Sequence, residues 1–339
     1  MRKIIFYGCT LLVLFFVSGC GQNEQKTNSE PANQQKDAEK ESFSNDKEKG
    51  QEGEFPRTVD VYGEEITIEK KPEKVAALSL NVAEIAVDLL GAEHIAAITT
   101  SAENDRLSHI TEELDQIPHK IAGATSLDPE VVLSYEPDLV LLTLTHGSEQ
   151  DANKMLQSAG VPLASFDRWM TVESLMENYQ LIGELVGEEA KAEKRVAEMK
   201  AKVEKVQKQV ADQKEKPSVL LLSQVGSNTG PYILGPSSIA YDIVKLAGGT
   251  PASDVLNLDK TTPASIEHII EIDPDYIVLV EWGSTSGEFS ELLDSPGFNT
   301  LRAVESGNVK NIPAKSISQP NAYVVDILEE LAEWIHPNQ

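Results

Sequence analysis

EEAKAEKRVAEMKAKVEKVQKQVADQKEK, residues 188–216, carries a single apolar stripe through an otherwise charged run. Ala192, Val196, Met199, Val203, Val206 and Val210 recur at alternating steps of four and three, the spacing of one face of an α-helix. Gly187 precedes the run and Pro217 follows it; a proline cannot continue a helix, because it lacks the backbone donor and clashes with the preceding turn. At 1.5 Å per residue such a helix spans about 40 Å, the width of a small domain. A coiled-coil arm would show the same stripe, so the flanks must decide between an arm and a strut.

Both flanks carry the same phrase. LDPEVVLSYEPDLVL (127–141) lies before the helix and ASIEHIIEIDPDYIV (264–278) after it. Glu130 aligns with Glu267, Glu136 with Asp273, Pro137 with Pro274 and Asp138 with Asp275. Each copy reads as a short helix, an acidic-Pro-Asp turn and a buried strand. A repeat on either side of a long helix predicts two similar lobes joined by a rigid strut.

Elsewhere, apolar strands alternate with helices, which predicts an α/β fold with parallel sheets covered on both faces. Thr58 to Ile68 reads as a hairpin, and Val75 to Leu80, Ile95 to Thr99, Leu139 to Thr143 and Val161 to Phe166 as strands of the first lobe. Asn81, with Glu84 three residues on, reads as a variant capping box. Ser101 to Thr125 reads as mostly loop. In the second lobe, Ser218 to Ser223, Tyr276 to Glu281 and Val309 to Ile312 read as strands, and Ala322 to Ile335 as a final helix. The fold class expected is thus two Rossmann-like α/β lobes with mostly parallel central sheets, joined by one long helix. The expected boundaries are a signal peptide over 1–19, a tether over 20–54, lobes over 55–170 and 217–339, and a helical linker over 171–216.

The 339 residues suffice for two domains. With 29 Lys and Arg against 55 Asp and Glu the net charge is −26, which argues against a nucleic-acid partner. Both Cys, at 9 and 20, lie in the first twenty residues, so the rest of the chain has neither disulfide nor Cys-bound metal. Arg2 and Lys3 precede an apolar core, Ile4 to Val17, that is short for a membrane span. It ends Val17-Ser18-Gly19-Cys20, which resembles the lipobox of bacterial lipoproteins. The resemblance implies cleavage before Cys20 and lipidation of its thiol, with the protein at the outer face of the cytoplasmic membrane. Gly21 to Glu54 is polar apart from Phe43, too poor in apolar surface to offset ordering entropy, and is expected to be a disordered tether.

No catalytic constellation is present. Gly283-Ser284-Thr285-Ser286-Gly287 has Thr where a nucleophile elbow needs Ser, and no phosphate-cradling or dinucleotide glycine motif occurs. His94, His109, His119, His146, His268 and His336 show no zinc spacing.

Lys71-Pro72-Glu73-Lys74-Val75-Ala76-Ala77-Leu78-Ser79 with Glu84-Ile85 resembles the opening of substrate-binding proteins for iron–siderophore, haem and cobalamin ABC importers. The two acidic-Pro-Asp repeats, Leu246-Ala247-Gly248-Gly249 and Val304-Glu305-Ser306-Gly307-Asn308-Val309 follow in that family's order. The resemblance implies two lobes flanking a ligand cleft, no intrinsic cofactor, no enzymatic activity, and delivery of a metal complex to a permease dimer. Ligands of open α/β sheets sit beyond the carboxyl ends of the strands. That rule selects Asn81, Arg106, His146, Arg168, Trp169, Met170, Tyr232, Trp282 and Tyr323 as candidate ligand contacts. An iron(III)–siderophore complex is the first expectation, and haem or cobalamin the alternative. His146 or Met170 would be the axial ligand for haem. The resemblance also assigns permease docking to Glu130 and Glu267, whose places near their helix N-termini would equally serve the helix dipole. Two competing classes are a Zn or Mn receptor of the same architecture and a surface-anchored enzyme; stoichiometric zinc would mark the first and turnover the second.

Overall fold

The described chain begins at an antiparallel hairpin, β1 (Arg57–Val61) and β2 (Glu64–Ile68), whose inward residues Val59, Val61, Ile66 and Ile68 are buried. The computed structural model describes residues 53–123, 126–145, 147–224, 230–283 and 288–337, which belong to one compact unit. The signal peptide, Cys20 and most of the expected tether lie outside the described residues, and so does His146.

The first lobe is built from β3 (Val75–Ala77), α1 (Leu80–Leu90), β4 (Ile95–Thr99), α2 (Thr111–Asp115), β5 (His119–Ile121), α3 (Pro129–Ser134), β6 (Leu139–Thr143), α4 (Gly147–Ser158) and β7 (Leu163–Phe166). Its strands form a wholly parallel sheet in the order β5-β4-β3-β6-β7. Two helices then lead across, α5 (Val172–Val186) and α6 (Glu189–Val210).

The second lobe contains β8 (Ser218–Gln224), β9 (Tyr232–Ile233), α7 (Ile239–Leu246), β10 (Thr250–Pro251), β11 (Thr262–Pro263), α8 (Ile266–Ile272), β12 (Tyr276–Glu281), α9 (Ser290–Leu293), α10 (Arg302–Glu305), β13 (Val309–Pro313), α11 (Ala314–Ile317) and α12 (Ile327–Ile335). Its sheet runs β11-β9-β8-β12-β13, parallel through β8, β12 and β13, with the two-residue strands β9 and β11 antiparallel at one edge.

Side chains alternate across each strand and so divide between two layers. In β6, Leu139 and Leu141 join one cluster and Val140 and Leu142 another; in β12, Val278 and Val280 divide from Ile277 and Leu279 in the same way. The outer layers, α3 and α4 on one lobe and α8 with Phe289 and Phe298 on the other, are separate. The inner layer is shared: α1, α5, α6, α7 and α12 contribute to one core that touches both sheets.

The strut is part of that layer. Ala192, Val196, Met199 and Val206 of α6 are buried, as the stripe requires, and Val203 and Val210 are half-buried. Its first half is tied to the first lobe by Arg195, which donates to Asp88 of α1 from Nη2 at 2.5 Å and Nε at 3.0 Å. Its second half is tied to the second lobe, where Lys202 pairs with Asp326 and Lys205 with Glu329. The helix ends at Val210, short of the Pro217 boundary; Asp212 to Lys216 offer no apolar residue to bury, and the chain leaves the helix before the proline forces it to. Gly187 turns α5 into α6 at φ 69°, a left-handed conformation, and a Cβ there would meet the ring of Phe55.

The repeat is a structural one. Glu136 and Asp273, each the residue before the aligned proline, adopt positive φ of 52° and 38°. The following aspartates then reach back to the neighbouring strand: Asp138 accepts from the backbone N–H of Glu73 and Lys74, at 3.0 and 2.9 Å. Asp275 accepts from the N–H of Ser218 at 2.9 Å. The equivalence therefore extends to β3–β6–β7 against β8–β12–β13.

Four readings need correction. The final helix starts at Ile327 rather than Ala322, and the strand read as Val75 to Leu80 ends at Ala77. α1 begins at Leu80 with Ser79 as its cap residue, so Asn81 and Glu84 form no capping box; the Ser79 hydroxyl accepts instead from the Thr143 N–H at 3.0 Å. The stretch read as loop after β4 contains α2 and the edge strand β5, both too short to show periodicity.

Candidate functional site: the interlobe cleft

Parallel strands put their carboxyl ends on one edge of a sheet, where departing loops leave room for a ligand. In the first lobe these loops follow Ala77, Thr99, Thr143 and Phe166; in the second they follow Gln224, Glu281 and Pro313. The structure brings two of these ends together. Arg106, after β4, donates from Nη1 to Glu281 at the end of β12 at 3.1 Å. The Asn104 amide reaches the Trp282 carbonyl at 3.5 Å, and the Lys315 N–H donates to the Arg106 carbonyl at 3.0 Å. His109 Nε2 lies 3.2 Å from the Lys315 carbonyl, and its ring faces Tyr323 at a centroid distance of 4.9 Å. Gly283, at φ 77°, allows the approach: a Cβ there would overlap the stem of Arg106.

Arg106, Trp282 and Tyr323 therefore join the lobes along a seam, rather than standing free in an open cleft. Trp282 is half-buried, and its indole N–H donates to Ser223 Oγ at 2.8 Å. Asn81 is buried, its amide bound to the Thr143 hydroxyl at 3.0 Å, which ties α1 to the end of β6. Trp169 is 3 % exposed and packs edge-to-face on Phe166 at 5.8 Å, within the shared core. Arg168 and Met170 on either side of it are exposed, and Tyr232 is half-buried at the start of β9. Arg168 makes no ion pair among the described residues.

The seam contains a group that reading the chain as a string assigned to a helix cap. Glu84 is 3 % exposed, and its Oε1 accepts from the Ser108 hydroxyl at 2.5 Å and the His109 N–H at 3.3 Å. Burial pushes its carboxyl up to about 7, against the opposing pull of these hydrogen bonds, Asn321 and Lys315. His109 is shifted down, first by burial and then by the Lys315 charge. A pocket of about 220 Å³ beside Glu84 is lined by Asp88, Tyr179, Asn321 and Tyr323. A larger hollow of about 630 Å³ lies at the opposite end of the second lobe, near Lys216, Asp275 and Arg302, away from the strand ends that form the cleft. Among the described residues no group of three or more His, Cys, Asp or Glu could hold a metal ion.

Glu130 and Glu267 occupy matched places on the outer layers. Both are exposed in the first turn of their helices, capped by Asp128 in α3 and by Ser265 in α8. Backbone N–H donation and the Ser265 hydroxyl hold the Glu267 carboxyl below its ordinary value.

A family model described as "Periplasmic binding protein" matches residues 75–316. The chain belongs to this family. Among periplasmic binding proteins and their kin it is 25 % identical over 346 residues to an uncharacterized ABC transporter substrate-binding lipoprotein, YvrC, of Bacillus subtilis, covering 99 % of this chain and 98 % of that one. A cobalamin-binding protein of Halobacterium salinarum is 24 % identical, covering 83 % of this chain and 74 % of its own. The ferric-anguibactin-binding protein FatB of Vibrio anguillarum is 25 % identical over 63 % of this chain and 65 % of its own. The fold matches the periplasmic haem-binding protein RhuT of Roseiflexus with a TM-score of 0.69 at 21 % identity, over 78 % of this chain and 98 % of that one. No helix among the described residues is long and apolar enough to cross a membrane.

Proposed function

We propose that this protein is the solute-binding component of an ABC importer, that it captures an iron(III)–siderophore complex between its lobes, and that it passes the complex to a permease. The observation that carries this reading is the convergence of strand-end loops from two sheets, seen in the Arg106–Glu281 and Asn104–Trp282 contacts, in a chain of the periplasmic binding protein family. Such a cleft can enclose a ligand from two sides. Similarity to a ferric-siderophore receptor supports an iron chelate; similarity to a cobalamin-binding protein supports cobalamin as the second reading. Haem is a third ligand of the same class, supported by the resemblance in the sequence. Arg168, Met170 and Tyr232 are the proposed ligand contacts that remain accessible, with Arg106, Trp282 and Tyr323 shaping the mouth through the seam. Glu130 and Glu267 present one carboxylate per lobe to the two halves of a permease dimer.

Equilibrium dialysis of the protein against ferric siderophores, haem and cyanocobalamin tests the reading. Saturable, reversible binding of one of them, with the ligand recovered unchanged, is expected; chemical conversion of the ligand, or stoichiometric zinc in protein purified without chelate, would contradict it. Anchoring is tested separately. Cys20→Ala should leave uncleaved precursor or shed protein, and a variant that stays lipidated in the membrane fraction would remove the anchor from the proposal.

A further inference from the structure

The loops that leave the strand ends are poor in positive charge. Among the described residues of 78–81, 100–108, 122–128, 144–147 and 167–171 in the first lobe, and of 224–231, 281–288 and 313–320 in the second, the only Lys or Arg are Arg106, Arg168 and Lys315. The same segments contain Glu103, Asp105, Asp128, Asp167, Glu281 and Glu288. One of the three cations is already engaged. Arg106 pairs with Glu281, whose other carboxylate oxygen accepts from Asn311 at 2.7 Å, so the pair is held from both strands β12 and β13. The Lys315 charge acts on Glu84 and His109 within the seam. Arg168 is exposed and Lys315 half-buried, and neither has an ion pair among the described residues.

A multiply charged anion taken from water into a cleft loses hydration worth several kcal/mol per charge unless fixed cations replace it. One exposed arginine and one half-buried lysine do not replace the solvation of a triply charged complex. The chain's net charge of −26 adds repulsion during approach, felt within about 10 Å at ordinary salt. A neutral or singly positive chelate meets neither obstacle.

We propose that the cleft selects its ligand by charge, taking neutral or singly positive metal chelates and rejecting multiply anionic ones, and that the Arg106–Glu281 pair sets this limit by keeping Arg106 from the ligand. The inference rests on the reading of the cleft as a metal-chelate site. It places hydroxamate-type iron complexes and cobalamin on the accepted side, and tris-catecholate iron on the rejected side.

The test is equilibrium dialysis of the full chain against three probes: the ferric complex of desferrioxamine B (singly positive), cyanocobalamin (neutral) and ferric enterobactin (triply negative). At least one of the first two should bind at least ~100-fold more tightly than the third, a gap of about 2.7 kcal/mol. Glu281→Gln, which releases Arg106, should strengthen ferric enterobactin binding about tenfold or more while leaving the best neutral or positive probe no tighter than before. Ferric enterobactin binding as tightly as the other probes overturns the charge rule alone. An unchanged preference in Glu281→Gln, in a variant whose unfolding matches wild type, removes the pair from it. Failure of all three probes, with haem and other ferric siderophores also unbound, overturns the metal-chelate reading and the charge rule with it.

Discussion

Glu84 is where a single side chain carries the most consequence. Its carboxyl is buried between α1, the Ser108–His109 turn and the Asn321 loop of the other lobe, with Lys315 the cation that faces it. The native value of about 7 lies above the ordinary 4.5, so the folded protein holds a proton that the unfolded chain releases. The associated stability is complete below about pH 4.5 and is lost as pH rises through about 7, a change on the order of 3 kcal/mol at most. Glu84→Gln should flatten the dependence of the urea midpoint between about pH 5 and pH 8, with the variant gaining on wild type towards the alkaline end. Equal slopes in the two proteins would show that the carboxyl does not titrate in that window. The string alone pointed to Asn81 and Glu84 as a cap because both residue types suit one; what it lacked was the Ser79 hydroxyl turning to Thr143, a contact between residues more than sixty positions apart. Trp169 illustrates the same limit. Its position after a strand end marked it for the cleft, but which way a ring turns depends on neighbours such as Phe166 and, beyond it, Tyr62 of the hairpin.

At the scale of elements, the local patterns were the readable ones. The stripe of α6 needs only the period of a helix, and all six of its apolar residues are wholly or half-buried. The repeat was readable because identical turn chemistry recurs: a left-handed residue before proline, then an aspartate that binds the adjoining strand. The short strands β5, β9 and β11, two or three residues each, were not readable, since so short a run carries no alternation. Met199 of α6 is 1 % exposed in the core shared by the lobes. Met199→Ala should lower unfolding free energy by about 2–4 kcal/mol through the cavity it leaves. Lys205→Ala breaks only an exposed pair with Glu329 and should cost less than about 1 kcal/mol. Denaturant unfolding with similar losses for both would contradict the distinction between the buried and the charged face of the strut.

The whole molecule places two equivalent helices, α3 and α8, on separate outer layers, while among the described residues the contacts that join the lobes lie in the inner layer and the seam. Glu130 and Glu267 thus stand apart from the ligand contacts proposed for the cleft. Changing them should alter what happens after capture and not capture itself. Uptake of the radiolabelled ligand identified by dialysis, measured in cells expressing the importer with either wild-type protein or Glu130→Arg/Glu267→Arg at matched surface levels, tests delivery to a permease most directly. Wild-type protein should support uptake, and the double variant should bind the ligand with unchanged affinity and support none; uptake at the wild-type rate by the double variant would contradict docking through these two carboxylates.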